Sequence, residues 1–201
     1  MDITSIITGR RSVRAFKPDP LTTEQLTQIL EAGRWAPSPH GRQPWRFAVI
    51  TQPATRLRLA AAMGSAWQHQ LSLDGQDPAT VALRQRKSHE RILGAPAIVV
   101  PCLSVGDLDR YPDAARQSAE TVMAIQSLGC AVQNMLLMAY SLGLDSGWMC
   151  APLFCPATVR AALGLADTLV PHALITFGYA AQEPMRRPKR SLEELVVFWE
   201  R

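Results

Sequence analysis

Residues 121–144 read TVMAIQSLGCAVQNMLLMAYSLGL and carry no charge at any position. So long an apolar run is enough to cross a bilayer as a helix. Three amides, Gln126, Gln133 and Asn134, lie in its middle, where lipid would make them costly. No second span and no flanking basic cluster accompany it. The stretch therefore reads as a long central helix, buried nearly all round by the protein's own core, with room for a second subunit as cover. The small residues Ala124, Gly129, Cys130 and Ala131 permit close helix packing.

On the C-terminal side, residues 145–152 (DSGWMCAP) form a short strand or loop. Residues 156–163 follow as a helix with proline near its start, and 171–179 (PHALITFGY) as a buried strand. A proline- and arginine-rich extension (182–191) leads to a short amphipathic terminus (192–199). Upstream, 95–103 (APAIVVPCL) reads as a buried strand whose far end Pro101 demotes, preceded by a charged helix over 80–93. Residues 53–63 read as helix and 64–78 as a polar, turn-rich, flexible excursion. Trp45 opens a strand to Thr51. The loop 36–44 holds three prolines and a glycine and is ordered but irregular. A helix capped by Thr22 turns Leu26, Ile29, Leu30 and Gly33 inward, and a first short helix ends at Gly9. Strands and helices mix without a regular β-α-β beat, so the fold class is α+β.

The chain has 201 residues, 47% hydrophobic and 19% charged. That suits one globular domain, residues 1–201, and excludes a disordered chain. The net charge of +4 hints at an anionic ligand. Cys102, Cys130, Cys150 and Cys155 form no C-x-x-C pair, and early charges at Asp2, Arg10, Arg11 and Arg14 leave no signal-peptide core. The expectation is a cytoplasmic protein with free thiols.

Four clusters carry chemistry. Arg10, Arg11, Ser12 and Arg14 put three guanidiniums and a hydroxyl within five residues after a helix, a set suited to phosphate, although a solvated basic turn has the same composition. The loop with Ser38, His40, Arg42 and Gln43 is stiffened by proline and can present side chains to a flat ligand. Gly147, Trp148 and Met149 lie where a glycine lets backbone approach a planar ring, or where the chain simply turns into the core. Arg186, Arg187, Lys189 and Arg190 form a basic segment, but no nucleic-acid module or stacking series accompanies them. Metal-ligand spacing, a G-x-S-x-G elbow, a Walker loop and a paired-carboxylate site are all missing, so no metal site and no catalytic side chain is assigned. A chain of enzymatic character without its own nucleophile, base or metal points to a cofactor that carries the chemistry.

Taken together, RRSVRAF after an opening helix, APSPHGRQPWRFAVI, AIQSLGCAVQNMLLMAYSLGLDSGWM, ITFGY and the closing PKRSLEELVVFW resemble the nitroreductase superfamily of flavin enzymes, in order and over almost the whole chain. The resemblance implies a central, mainly antiparallel sheet flanked by helices, and an obligate homodimer with FMN at the subunit interface and the long helix at its seam. By position, Arg10, Arg11, Ser12 and Arg14 resemble the residues that hold FMN phosphate and ribityl oxygens. Arg190, or Arg187 in another register, resembles the C-terminal phosphate contact. Gln43 and the 38–41 loop resemble residues near the flavin ring, with Ser38, His40 and Arg42 on the substrate side. Gly147, Trp148 and Met149 resemble the strand whose backbone meets the ring.

The form APSPHGRQPWRF is similar to the flavin domain attached to enzymes that build the deazaflavin coenzyme, although the attached glutamate-ligase domain has no counterpart in these residues. The flavin-cleaving benzimidazole synthases share the layout but typically carry Asp where this chain has Ser12, and rank lower. The activity implied is transfer of electrons from NAD(P)H through FMN to a nitroaromatic, quinone or enone by alternate occupancy of one site. A flavin- or deazaflavin-binding protein with little turnover is the alternative. Neither a nucleic-acid nor a membrane partner is expected.

Overall fold

The computed structural model describes residues 2–184 and 188–200. The chain opens with α1 (Ile3–Gly9) and α2 (Thr23–Arg34). Asp2 caps the first by accepting from Ser5 N–H at 3.0 Å. Thr22 and Gln25 cap the second reciprocally, each side chain satisfying the other's backbone N–H. There follow β1 (Trp45–Ile50), α3 (Pro53–Leu73), α4 (Pro78–Leu93), β2 (Ala97–Ser104), α5 (Ala114–Ser141), β3 (Asp145–Met149), α6 (Pro156–Leu163), β4 (Leu169–Pro171), β5 (Leu174–Gly178) and α7 (Leu192–Leu195).

The sheet runs β1-β2-β5-β3, with β4 also on β2, and every strand pair is antiparallel. This is the α+β architecture expected from the sequence. β2 is buried on both faces because its alternate residues feed two cores. Ala97 and Val99 pack with Ile29 of α2 and Val132, Met135 and Ala139 of α5. Ile98, Val100 and Cys102 pack with Leu59 and Met63 of α3, Ile92 of α4 and Val159 of α6. Burial pushes the Cys102 thiol up to about 11, which makes it a packing residue rather than a nucleophile.

Four expectations need correction. Residues 64–73 are the second half of α3, a single 21-residue helix. No proline interrupts them, Leu71 is buried, and α3 lies alongside α4 and α6. Only the segment between Leu73 and Pro78 turns. Pro101 does not demote β2, which continues to Ser104 with all eight residues buried. Its carbonyl accepts from His172 N–H at 3.0 Å. The missing Pro101 N–H faces the same way, and falls where β2 changes partner from β5 (97–99) to β4 (102–104). Residues 171–179 are therefore two strands broken at His172 and Ala173. The terminus is helical only over α7, and beyond it Val197 and Phe198 stand exposed.

The uncharged stretch is helical, as read, but in this chain only one face of α5 is buried. Ala124, Leu128, Ala131, Val132, Met135, Leu136 and Ala139 recur at helical spacing toward the core. Val122, Met123, Ile125 and Cys130 face outward. By length and composition α5 could cross a membrane, yet it packs on α2, β2 and β3 as a core helix.

His172, at the β4–β5 bend, is held below its ordinary value of 6.5 by burial. The unfolded chain therefore binds this proton more readily than the folded one. The stabilising share of the neutral ring is complete above about pH 6.5 and is lost as pH falls through the lower folded value. Chemical denaturation of a His172→Gln variant between about pH 5 and 8 is expected to show a shallower acid loss than the parent. Identical slopes would contradict this.

Candidate functional site

α1 ends with Gly9 flush against Tyr140 of α5, where an added Cβ would overlap the phenol ring. That contact seats the arginine-rich turn. The chain then runs along the open edge of β3. Val13 N–H donates to Ser146 O at 2.8 Å, and Ser12 bridges Ser146 in parallel. Gly147 is wedged between this segment and β5. A Cβ there would strike the Val13 carbonyl and lie 2.8 Å from Thr176 Oγ1, which itself donates to Gly147 O at 3.3 Å.

Beside the wedge lies a small recess open to solvent. Ser12 and Arg14 enter it from the N-terminal turn, Gly147, Trp148 and Met149 from β3, and Arg91 from the last turn of α4. Five of these six were expected from sequence. Arg91 was missed because it sits in a charged helix (RQRKSHER) that reads as a solvated face. The available signal was its position in the last turn before a buried strand. Arg56 fastens that end of α4 by donating to Leu93 O and Ala95 O. Burial and, secondarily, the charge of Arg14 lower the pKa of Arg91. Among the described residues neither Arg14 nor Arg91 is in an ion pair with an acid. Arg10 Nε and Ser146 Oγ are buried without hydrogen-bond partners. Arg11 is turned back on the helix end, donating to Thr8 O and Arg10 O at 2.7 Å each.

The 36–44 loop forms a second group, separate from the first within one chain. It carries a 3₁₀ turn (Pro39–Gly41), and His40 and Gln43 adopt positive φ of 54° and 50°, a backbone state that non-glycine residues hold only when neighbours enforce it. The enforcement is visible. Ser38 Oγ accepts from Gln43 N–H at 3.0 Å, and Gln43 Nε2 donates to Arg34 O at 3.3 Å. Arg42 forks onto Asp109 at 2.7 and 2.6 Å, and Arg46 reaches Asp107 at 2.9 Å. Arg42 also borders a second, smaller recess with Pro39, Glu120 and Met123. His40 is exposed. Asp107 and Asp109 carried no sequence signal, since their arginine partners lie more than sixty positions away. Arg190 is exposed on the tail and does not line the first recess. Arg187 lies outside the described residues. All four cysteines are free, and no metal-holding cluster occurs among the described residues.

A recess with two uncompensated guanidiniums, on a five-stranded antiparallel sheet backed by a long apolar helix, suits an anionic ligand, and the comparison with known families gives the class of protein. The chain belongs to the nitroreductase family, whose model matches residues 7–179, and with the family comes its class, flavin-dependent oxidoreductase. Among individual proteins, a NADH dehydrogenase of Thermus thermophilus is 30% identical over 208 residues, spanning 99% of this chain and 96% of its own length. A protein of Desulfovibrio desulfuricans, crystallised with FMN under a nitroreductase description, superposes with a TM-score of 0.73 at 28% identity, covering 100% of this chain and 98% of that one. A BluB-like flavoprotein from Clostridium difficile superposes with a TM-score of 0.80 over 100% of both chains, and at 24% identity this shows the shared fold.

Proposed function

We propose that this protein is a cytoplasmic, homodimeric, single-domain enzyme that binds FMN and passes electrons from NAD(P)H to an electron-poor organic acceptor of nitroaromatic, quinone or enone type. Donor and acceptor occupy one site in turn. The observation that carries the reading is the recess in which Ser12 and the acid-free guanidiniums of Arg14 and Arg91 meet Gly147, Trp148 and Met149 of β3. The residues present fit FMN. Ser12, Arg14 and Arg91 bring hydroxyl and guanidinium donors to one recess, and Arg10 Nε, on the same turn, is a buried polar atom without a partner.

Arg10, Arg11, Ser12 and Arg14 hold the phosphate and ribityl oxygens, joined by Arg190 or Arg187 from a C-terminal tail. The backbone of Gly147, Trp148 and Met149 borders the ring, and Arg91 places positive charge beside it. FMN supplies, when bound, the acceptance of hydride and its onward transfer as two electrons. The protein orients the reactants, excludes water and offers fixed donors where negative charge gathers. No side chain is assigned as general acid.

A second copy accounts for surface that the single chain leaves bare. Val122, Met123 and Ile125 of α5, Ile3 and Ile7 of α1, and Leu192, Leu195, Val197 and Phe198 of the tail are all exposed. So much exposed apolar area marks an interface. The 36–44 loop meets the same face of α5 through Met123, so pairing brings the second group of expected residues to the seam. Steady-state consumption of NAD(P)H with a quinone, by protein loaded with FMN, is the expected result. Bound flavin without consumption would favour the flavin- or deazaflavin-binding alternative, which the loop sequence around His40 and Arg42 keeps in view.

A further inference from the structure

We infer that the acceptor reduced at this site is uncharged, and that Asp109 sets this preference by neutralising Arg42. The inference rests on the reading of the 38–43 loop as a wall of the FMN site. Arg42 and Arg46, with His40 nearby, look from sequence like a landing place for an anion, in a chain whose net charge is +4. The geometry cancels that appearance. Both terminal nitrogens of Arg42 are engaged by Asp109, at 2.7 and 2.6 Å, and Nη1 also approaches Asp107 O at 3.4 Å. Arg46 is paired with Asp107 at 2.9 Å.

Glu120 is buried on α5 and accepts from Asp109 N–H at 3.2 Å. It lines the same small recess as Arg42 and adds to the field on that guanidinium. Two guanidiniums thus face three carboxyl groups. With both terminal nitrogens of Arg42 closed on a carboxylate, its end-on fork is occupied and its charge is balanced, so a sulfonate, carboxylate or phosphate gains little there. Arg110, next along the chain, is exposed and lines neither recess. The remaining cations near the site, Arg14 and Arg91, belong to the cofactor in the proposed reading. An anionic acceptor therefore meets a wall with no cationic surplus.

The test uses FMN-loaded protein, NAD(P)H, and two acceptors: a simple quinone and the same quinone carrying a sulfonate. The reaction is NAD(P)H + H⁺ + quinone → NAD(P)⁺ + hydroquinone, two electrons passing from nicotinamide to quinone. The readout is the ratio of kcat/KM, neutral over sulfonated, so damage common to both substrates divides out. The ratio is expected to be about tenfold for the parent and to fall about tenfold in Asp109→Asn, chiefly through KM of the sulfonated quinone, as one unbalanced charge at the wall requires.

Arg42→Gln is expected to raise the ratio. The double variant Arg42→Gln/Asp109→Asn removes one charge of each sign and is expected to return the ratio to within about twofold of the parent. Arg110→Gln is expected to leave it unmoved. A purely structural role for Asp109 predicts parallel losses with both quinones, greatest in the double variant, and that outcome overturns the inference. So does a parent protein that uses the sulfonated quinone as well as the neutral one. Turnover with an unmoved ratio overturns this inference alone, whereas no turnover with either quinone overturns the proposed function and this inference with it.

Discussion

Replacing Arg10 and Arg14 by alanine together is expected to give a colourless, folded protein whose affinity for FMN is lower by about a hundredfold to ten-thousandfold. Each charge-assisted hydrogen bond to a phosphate contributes about 1.5–3 kcal/mol, and two are removed. The fold is expected to survive. Arg14 is exposed, and Arg10 Nε is already buried without a partner, so its removal leaves no new polar group stranded. Circular dichroism should match the parent, while absorbance of bound flavin disappears. A double variant that purifies with full FMN occupancy would show that the guanidiniums of this turn do something else.

Gly147→Ala is expected to have the other large effect, by a different route. One methyl group must enter the space held by the Val13 carbonyl and Thr176 Oγ1. The first is backbone and cannot rotate away, so the 12–13 segment must lift off the edge of β3. Overpacking of this kind costs about 1–3 kcal/mol. Lifting breaks the Val13–Ser146 hydrogen bond of 2.8 Å, which sets Ser12 and Arg14 at the recess. Loss of FMN binding should therefore exceed what the drop in thermal stability alone explains. Thr176→Ala in the Gly147→Ala background removes the second obstruction but not the first, and should recover little. Wild-type FMN affinity in Gly147→Ala would mean that the seating of residues 12–13 on β3 does not shape the site.

The elements most legible in the sequence were those whose cause is local. Thr22 marks a helix start through capping chemistry, and the first helix ends at Gly9 as read. The prolines and glycine of 36–44 bar regular structure. The uncharged run 121–144 reads as a core helix once its amides are weighed. Reading failed where a distant partner decides. Residues 64–73 are polar and look like a loop, yet neighbouring α4 and α6 hold them helical. Pro101 is tolerated inside a buried strand because its neighbours on one side change at that position, which no local pattern reveals.

The site divides in the same way. The Arg10–Arg14 turn and Gly147–Met149 are recognisable as clusters, and the fold brings Ser12 and Arg14 beside that strand. Arg91 arrives from a helix with an ordinary charged composition. Asp109 lies sixty-seven positions from Arg42, and only the folded chain shows that the arginine is already paired. Arg190 and the 38–43 loop stay apart from the recess in one chain. In the proposed reading, their contribution comes from a second copy.

The central claim is that the N-terminal guanidiniums, completed across a pair of protomers, hold FMN. Its most direct test is to incubate the purified protein with excess FMN, remove the unbound flavin, and measure the visible spectrum and the sedimentation mass of the same sample. The account predicts a yellow dimer with equal numbers of flavins and protomers. A colourless monomer would contradict it.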